Sequence, residues 1–383
     1  MSEYQYYEFQ AIDRVLTEHE MKALRALSSR ALSTPASFAN TYNYGDFRGN
    51  PAILMEKYFD VFVYLANWGT REFMLRLPGR LLDLKRLREF CASEGCQAKS
   101  KGQNVILSFR SEDPEGGDWE EGEGWLNALA PLRVDLLRGD FRAVYLGWLL
   151  CAQAEELEDD DLEPPPPPGL RDLTPPLKTL AAFLRLDDDL IGAVAEASAS
   201  LSPASPSSEQ LSNWLESLPE SRKNAMLLEL AERDNPHFRA ELLRYFEESH
   251  AATGGEKSLP DTPRRTVAEL LAAGKARADQ KRKRQQRAQA AARTSYLNAL
   301  AGQEPQTWQK VEALIQTKRQ SDYDQAVQLL IDLVDLGART GRAGEVAERL
   351  QELSQRHSGK RSFIRRLADA GLATPRQASP SCP

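Results

Sequence analysis

Residues 263–300 read PRRTVAELLAAGKARADQKRKRQQRAQAAARTSYLNAL, and this stretch separates a longer N-terminal part of the chain from a shorter C-terminal one. Thr262 can cap a helix start, and Pro263 suits the first helical position, where its missing N–H would lack a partner anyway. Val267, Leu270 and Leu271 fall on one helical face, and apolar residues return at Tyr296, Leu297 and Leu300. Between Lys275 and Arg293 there is no large apolar side chain, and Ala, Gln, Lys and Arg, strong helix formers, dominate. The spacing therefore predicts one long basic helix over 263–300, apolar at both ends and polar all round in its middle. From 264 to 293 ten Lys and Arg stand against two acids, Glu269 and Asp279. Lys275, Arg277, Lys281, Arg282, Lys283, Arg284 and Arg287 are the candidate partner-docking residues. Such a helix is either simply solvated, or a dock for an acidic protein segment, or a contact for nucleic acid. No aromatic residue is interleaved with the charges, which removes the stacking platform of single-strand binders.

Composition bounds the rest. The chain has 383 residues, 41% hydrophobic and 27% charged, with a formal net charge of −7, so two or three ordinary domains are expected. No run of about 18 apolar residues occurs, and MSEYQYYEFQ lacks the basic and apolar regions of a secretory signal, so a cytoplasmic location is expected. Four cysteines, Cys91, Cys96, Cys151 and Cys382, are too few for a disulfide scaffold. Cys91 and Cys96 have the spacing of half a metal site, but no second Cys or His pair accompanies them, so no metal and no cofactor are expected.

Residues 1–157 read as an α+β domain with a mixed sheet and helices on one side. Strands are expected over 4–12, 36–42, 61–66, 72–77, 95–100 and 104–109, and Thr17 with Glu20 has the form of a capping box. Tyr42, Tyr44, Phe47 and Trp68 are candidate pocket aromatics, against the plainer reading that they are core. An acidic loop over 113–124 and helices broken at Pro131 and Gly139 complete this region.

Residues 158–176 read as an acidic and polyproline linker, with five consecutive prolines at 164–168 acting as a stiff spacer. A small helical region is expected over 177–250, with a core that includes Trp214, Leu227, Leu230 and Phe246. A flexible linker over 251–262 comes next, then the long helix, a helical hairpin array over 301–372 and a disordered tail over 373–383. From 112 to 163 sixteen acids face three arginines, so an intramolecular contact between this acidic segment and basic 264–293 is expected.

Two stretches resemble known sequences. The opening SEYQYYEFQAIDRVLTE (residues 2–18) resembles the start of uncharacterised bacterial proteins. The segment SYLNALAGQEPQTWQKVEALIQTKRQSDYDQAVQLLIDLVDLGARTGRAGEVAERLQELSQRHSGKRSFIRRLADAGL (residues 295–372) resembles the C-terminal helical segment of such proteins and is similar to the helical tail of some bacterial SWIM zinc-finger proteins. The SWIM pattern itself, Cys-x-Cys followed by Cys-x-His, is absent, so the resemblance implies no zinc site. No Gly-rich phosphate loop, nucleophile elbow or HExxH occurs. The expected function is a non-enzymatic scaffold or adaptor for protein–protein interaction. The alternatives are a nucleic-acid-associated protein using the basic helix, or an enzyme with an unrecognised site in the N-terminal domain. No membrane partner is expected.

Overall fold

The computed structural model describes residues 4–28, 30–91, 93–113, 120–200, 207–232, 237–253 and 264–372. The expectations for the 373–383 tail, for Thr262 and Pro263, for half of the 113–124 loop and for most of the 251–262 linker lie outside the described residues. The chain forms two compact units, Met1–Asp279 and Gln280–Pro383. No helix among the described residues is long and apolar enough to cross a membrane.

Unit 1 is built on a seven-stranded sheet of β1 (Gln5–Gln10), β2 (Leu32–Ser33), β3 (Ser37–Tyr42), β4 (Val61–Ala66), β5 (Arg71–Pro78), β6 (Cys96–Lys101) and β7 (Asn104–Ser111), in the order β2-β3-β1-β4-β5-β7-β6. The α+β class is as expected, but every pairing is antiparallel where a mixed sheet was expected. The connections explain this. Only Asn67, Trp68, Gly69 and Thr70 separate β4 from β5, and two residues separate β6 from β7, whereas a parallel pair needs a crossover of a dozen residues or more.

Helices cover both faces, not one. Val61, Val63, Phe73, Leu75, Leu77, Val105, Leu107 and Phe109 point to one side. There they pack with α3 (Leu84–Phe90), α4 (Trp125–Leu129), α5 (Leu132–Leu137), α6 (Arg142–Gln153), α7 (Pro175–Phe183) and α8 (Asp188–Ala197). The alternate residues Tyr7, Phe9, Phe38, Phe62, Met74 and Ile106 point to the other side, with α1 (Glu18–Leu27) and α2 (Pro51–Lys57). The period of two along a strand makes both faces apolar here, so each needs its own cover. Thr17 and Glu20 form the capping box of α1, and Asn50 caps α2.

The proline run does not divide domains. Pro164 and Pro167 are buried, the Pro167 carbonyl accepts from the Ser198 hydroxyl at 2.8 Å, and one core continues from Val61 to Leu270 across it. Helix α6 is the reason. It is buried from Arg142 to Ala152, and each of its large apolar side chains contributes about 1.5–3 kcal/mol when covered on all sides. The sheet covers one flank, so the chain after the prolines must cover the rest. Helices α9 (Ser208–Ser217), α10 (Glu220–Glu232) and α11 (Phe238–Thr253) come after it. Trp214 and Phe246 are buried there, but Leu227 and Leu230, expected in that core, are 63% and 56% exposed.

Helix α12 (Val267–Ala301) begins four residues later than the sequence suggests, because residues 162–163 claim the chain just before it. Leu162 and Thr266 bridge in antiparallel fashion, and the Glu163 N–H donates to the Arg265 carbonyl at 2.9 Å. Thr266 then caps the helix with Glu269. The Thr266 N–H reaches Glu269 Oε2 at 2.9 Å, and the Glu269 N–H reaches Thr266 Oγ1 at 3.2 Å.

Unit 2 takes the second part of α12 with α13 (Glu304–Gln316), α14 (Gln320–Arg339), α15 (Ala343–Arg356) and α16 (Arg361–Asp369). Trp308, Val311, Ile315, Leu330, Leu333, Leu350, Phe363 and Leu367 form its core. A Cβ at Gly337 would stand 2.6 Å from Val346 Cγ2, so only glycine lets α14 and α15 approach this closely.

Candidate functional site

Two places present polar groups in a way the core does not require: a groove on the sheet, and the exposed stretch of α12.

The groove lies over β5, β7 and β6 and encloses about 980 Å³. Strand register places its groups. Glu72 is opposite Arg110 and Tyr64, Met74 is opposite Ser108, and Gln97 and Lys99 lie across from Ser108 and Ile106. All therefore share one face, with Met74 and Ile106 as the apolar floor and Asn50, Ala52, Ile53 and Glu56 of the α2 region as a wall. Burial holds the Glu72 carboxyl above the ordinary carboxylate range, while the charges of Arg110 and Lys99 pull it back in part. Arg110 holds Glu112 by Nε at 3.0 Å, and Lys101 Nζ lies 3.6 Å from Glu56. Beside Glu72, the hydroxyls of Tyr7 and Tyr64 both donate to Gln5 Oε1, at 2.7 and 3.2 Å, and Gln5 Nε2 donates to Asp46 at 2.9 Å. The tyrosines are thereby fixed as donors, and burial raises both phenols. The groove offers carboxyls, the guanidinium groups of Arg110 and Arg185, the amines of Lys99 and Lys101, the hydroxyls of Ser108 and Ser111, and side-chain amides. Neither His nor Cys is among its lining residues.

The candidate aromatics are divided between core and surface. Tyr42 and Phe47 are closed into the core, with ring centroids 6.0 and 5.0 Å from that of Tyr7. Tyr44 and Trp68 are surface residues at 75% and 45% exposure. None of the four lines the groove.

Charge is used differently inside unit 1. Asp60 is fully buried and accepts from the Ile12 and Asp13 N–H groups at 2.6 and 2.9 Å and from Arg76 Nη2 at 2.8 Å. Arg133 joins Asp13 at 2.6 Å, and His237 Nε2 lies 3.1 Å from the same carboxylate oxygen. Burial alone would raise Asp13, but His237 and Arg133 hold it below its ordinary value. This network ties the ends of β1, β4, β5, α5 and α11 together, with Asp13 Oδ1 buried and unpartnered within it.

Among the described residues, the expected intramolecular contact of acidic 112–163 with basic 264–293 is seen at the start of the helix. Asp161 and Asp159 carbonyls accept the Val267 and Ala268 N–H groups at 2.9 and 3.1 Å, filling the unpaired donors of the first helical turn. Buried Glu163 takes Arg265 through Nε and Nη2 at 2.7 and 2.9 Å, together with the Tyr145 hydroxyl. Farther along, Arg277 pairs with Glu196 and stands 3.9 Å from Asp189, both on α8. It also lines a second, more apolar groove of about 660 Å³ with Leu170, Leu173 and Ile191. Arg293 takes Asp332 and Asp335, each at 2.6 Å. Lys275, Lys281, Arg282, Lys283, Arg284 and Arg287 are exposed.

Glu72 left one signal in the sequence: with Arg71 and Arg76 it interrupts an otherwise apolar strand, REFMLRLP. Its neighbours across β7 and β6 are set by register, which one strand cannot announce. Comparison with known proteins finds no matching family model, no matching curated protein and no matching solved structure, so the family resemblances rest on the residues quoted above alone.

Proposed function

We propose that the protein is a non-enzymatic interaction scaffold of the cytoplasm, and that the exposed stretch 283–287 of α12 docks an acidic segment of a partner protein. The observation that carries this reading is a contrast along one helix. Where acids of the same chain adjoin it, its arginines take carboxylates: Glu196 for Arg277, Asp332 and Asp335 for Arg293. Lys283, Arg284 and Arg287 have the same chemistry, are exposed, and show no ion pair among the described residues. Positions three and four apart on a helix are neighbours, so these three form one patch. The patch spans about 6 Å of helix axis, which suits a few clustered carboxylates better than a tract of phosphates. The absence of aromatic residues there also disfavours nucleic acid.

The test is fluorescence anisotropy with a labelled peptide EELEDDDLE, and with duplex DNA in parallel. Binding of the peptide that weakens from low salt to about 0.15 M, and is lost in a Lys283→Gln, Arg284→Gln, Arg287→Gln variant, is the expected result. Equal binding by the variant, or no binding, contradicts the reading. Tighter binding of DNA transfers it to nucleic acid.

A second reading, a small polar ligand in the sheet groove, is favoured by one observation: the raised Glu72 carboxyl among Arg110, Lys99 and Ser108. Thermal-shift screening of amino acids, polyamines and sugar acids tests it. A hit that disappears in Glu72→Gln supports it, and a hit unmoved by that change contradicts it.

A further inference from the structure

Three of the four cysteines, far apart in sequence, come together in unit 1. Cys91 ends α3, Cys96 opens β6 and Cys151 lies on α6. The Cys91 and Cys96 sulfurs are 3.6 Å apart. A tight turn sets that distance: Ser93 and Cys96 bridge, and the Cys96 N–H donates to the Ser93 carbonyl at 3.3 Å. Glycines on two sides leave room for the sulfurs. A Cβ at Gly147 would stand 2.7 Å from Cys96 Sγ, and one at Gly95 would stand 3.1 Å from Cys151 Sγ. Cys91, Cys96 and Cys151 are free cysteines.

We infer that Cys91 and Cys96 are a reversible redox pair, closing to a disulfide when a hydroperoxide oxidises Cys91. Cys91 is half-buried, whereas Cys96 and Cys151 are fully buried, so the oxidant reaches Cys91 first. The Cys91 sulfur, its proton released to solvent, attacks the peroxide O–O bond. One oxygen stays as the sulfenic acid and the other leaves as water or alcohol. The Cys96 sulfur then attacks Cys91 Sγ, the S–O bond breaks, and the hydroxide takes the Cys96 proton to leave as water. Two electrons pass from the two sulfurs to the peroxide. Closing the bond requires the sulfurs to approach from 3.6 Å to about 2.05 Å. The hydrogen bond to Cys91 and burial hold the Cys96 thiol well up, and burial with Glu156 pushes Cys151 up to about 12, so both resist direct oxidation. The linkage lies at the rim of the sheet groove, since Glu94, Gly95 and Glu156 line it and the Gly95 N–H donates to Glu156 at 2.8 Å.

The test uses the full chain, treated with hydrogen peroxide, alkylated after denaturation and digested with trypsin. Both cysteines fall in one tryptic peptide, residues 89–99. The expected product is that peptide short of two hydrogens and unalkylated, restored by dithiothreitol, and still formed in Cys151→Ser. In Cys91→Ser the Cys96 thiol is expected to remain alkylatable. A Cys91 that stops at the sulfinic acid with Cys96 free, or a bond from Cys91 to Cys151 or Cys382, overturns the inference. So does peroxide treatment that leaves both thiols unchanged.

Discussion

The two units handle charge in opposite ways. Residues 1–279 carry 31 Lys and Arg against 46 Asp and Glu, and residues 280–383 carry 18 against 10. Unit 1 spends part of its charge inside, in the Asp60–Arg76–Arg133–Asp13 network and in the Glu163–Arg265 pair, where each carboxylate has several donors. Unit 2 keeps an apolar core and holds most of its charges near the surface. The difference shows that ion pairs in unit 1 are part of its architecture, whereas Lys283, Arg284 and Arg287 are exposed and show no ion pair among the described residues. Helix α12 belongs to both units, and it is where the contrast is most compact.

The largest expected effect separates the units by stability. Asp60→Ala strands Arg76 and two N–H groups in the interior, and should cost unit 1 about 3–5 kcal/mol. Urea unfolding monitored by tryptophan fluorescence reads this, because five of the six tryptophans lie in unit 1. An unchanged midpoint would break the distinction. The counterpart in unit 2 is Leu330→Ala, at a fully buried core position. A loss of about 2–5 kcal/mol is expected there, read by Trp308 alone in a variant with the other tryptophans replaced by Phe. A matching loss in the unit 1 transition would show that the two units unfold together.

A smaller effect sits at the start of α1. Thr17→Ala removes half of the capping box and should cost about 1 kcal/mol. Its partner Glu20 is held down to about 2 by Arg14 and by the Thr17 N–H. The folded value is below the unfolded one, so this stabilisation is full above the ordinary glutamate range and is lost as pH falls toward about 2. The difference in Tm between wild type and Glu20→Gln should close over that window, and a constant difference would contradict the assignment. Smallest, and of opposite sign, is Glu72→Gln. A carboxyl raised by burial destabilises the fold once pH rises through its folded value. The substitution should therefore raise Tm at neutral pH, with the gain fading below the ordinary carboxylate range. A lower Tm at neutral pH would mean that the charged form is held by partners.

Local signals were legible and long-range ones were not. The expected strand over 61–66 coincides with β4, and the capping box of Thr17 and Glu20 holds, because each is decided within a few residues. The helical character of unit 2 was readable for the same reason, since apolar periodicity is a local signal. The strand order, the cover on both sheet faces and the burial of Pro164 and Pro167 depend on partners far along the chain. So does the convergence of Cys91 and Cys96 with Cys151, and of Glu72 with Lys99 and Arg110. The start of α12 was misplaced for a related reason, since residues 162–163 reach back to claim 264–266.

The most direct measurement joins the acidic peptide EELEDDDLE to the full chain with a zero-length carbodiimide, which links carboxylates only to adjacent amines, and then maps the linked lysines. The expected result is linkage at Lys281 and Lys283, reduced by salt and absent at Lys178 and Lys310. Linkage concentrated at Lys99 and Lys101 would contradict the account, because it would place the acidic ligand in the groove of unit 1 and leave the exposed stretch of α12 as a solvated helix.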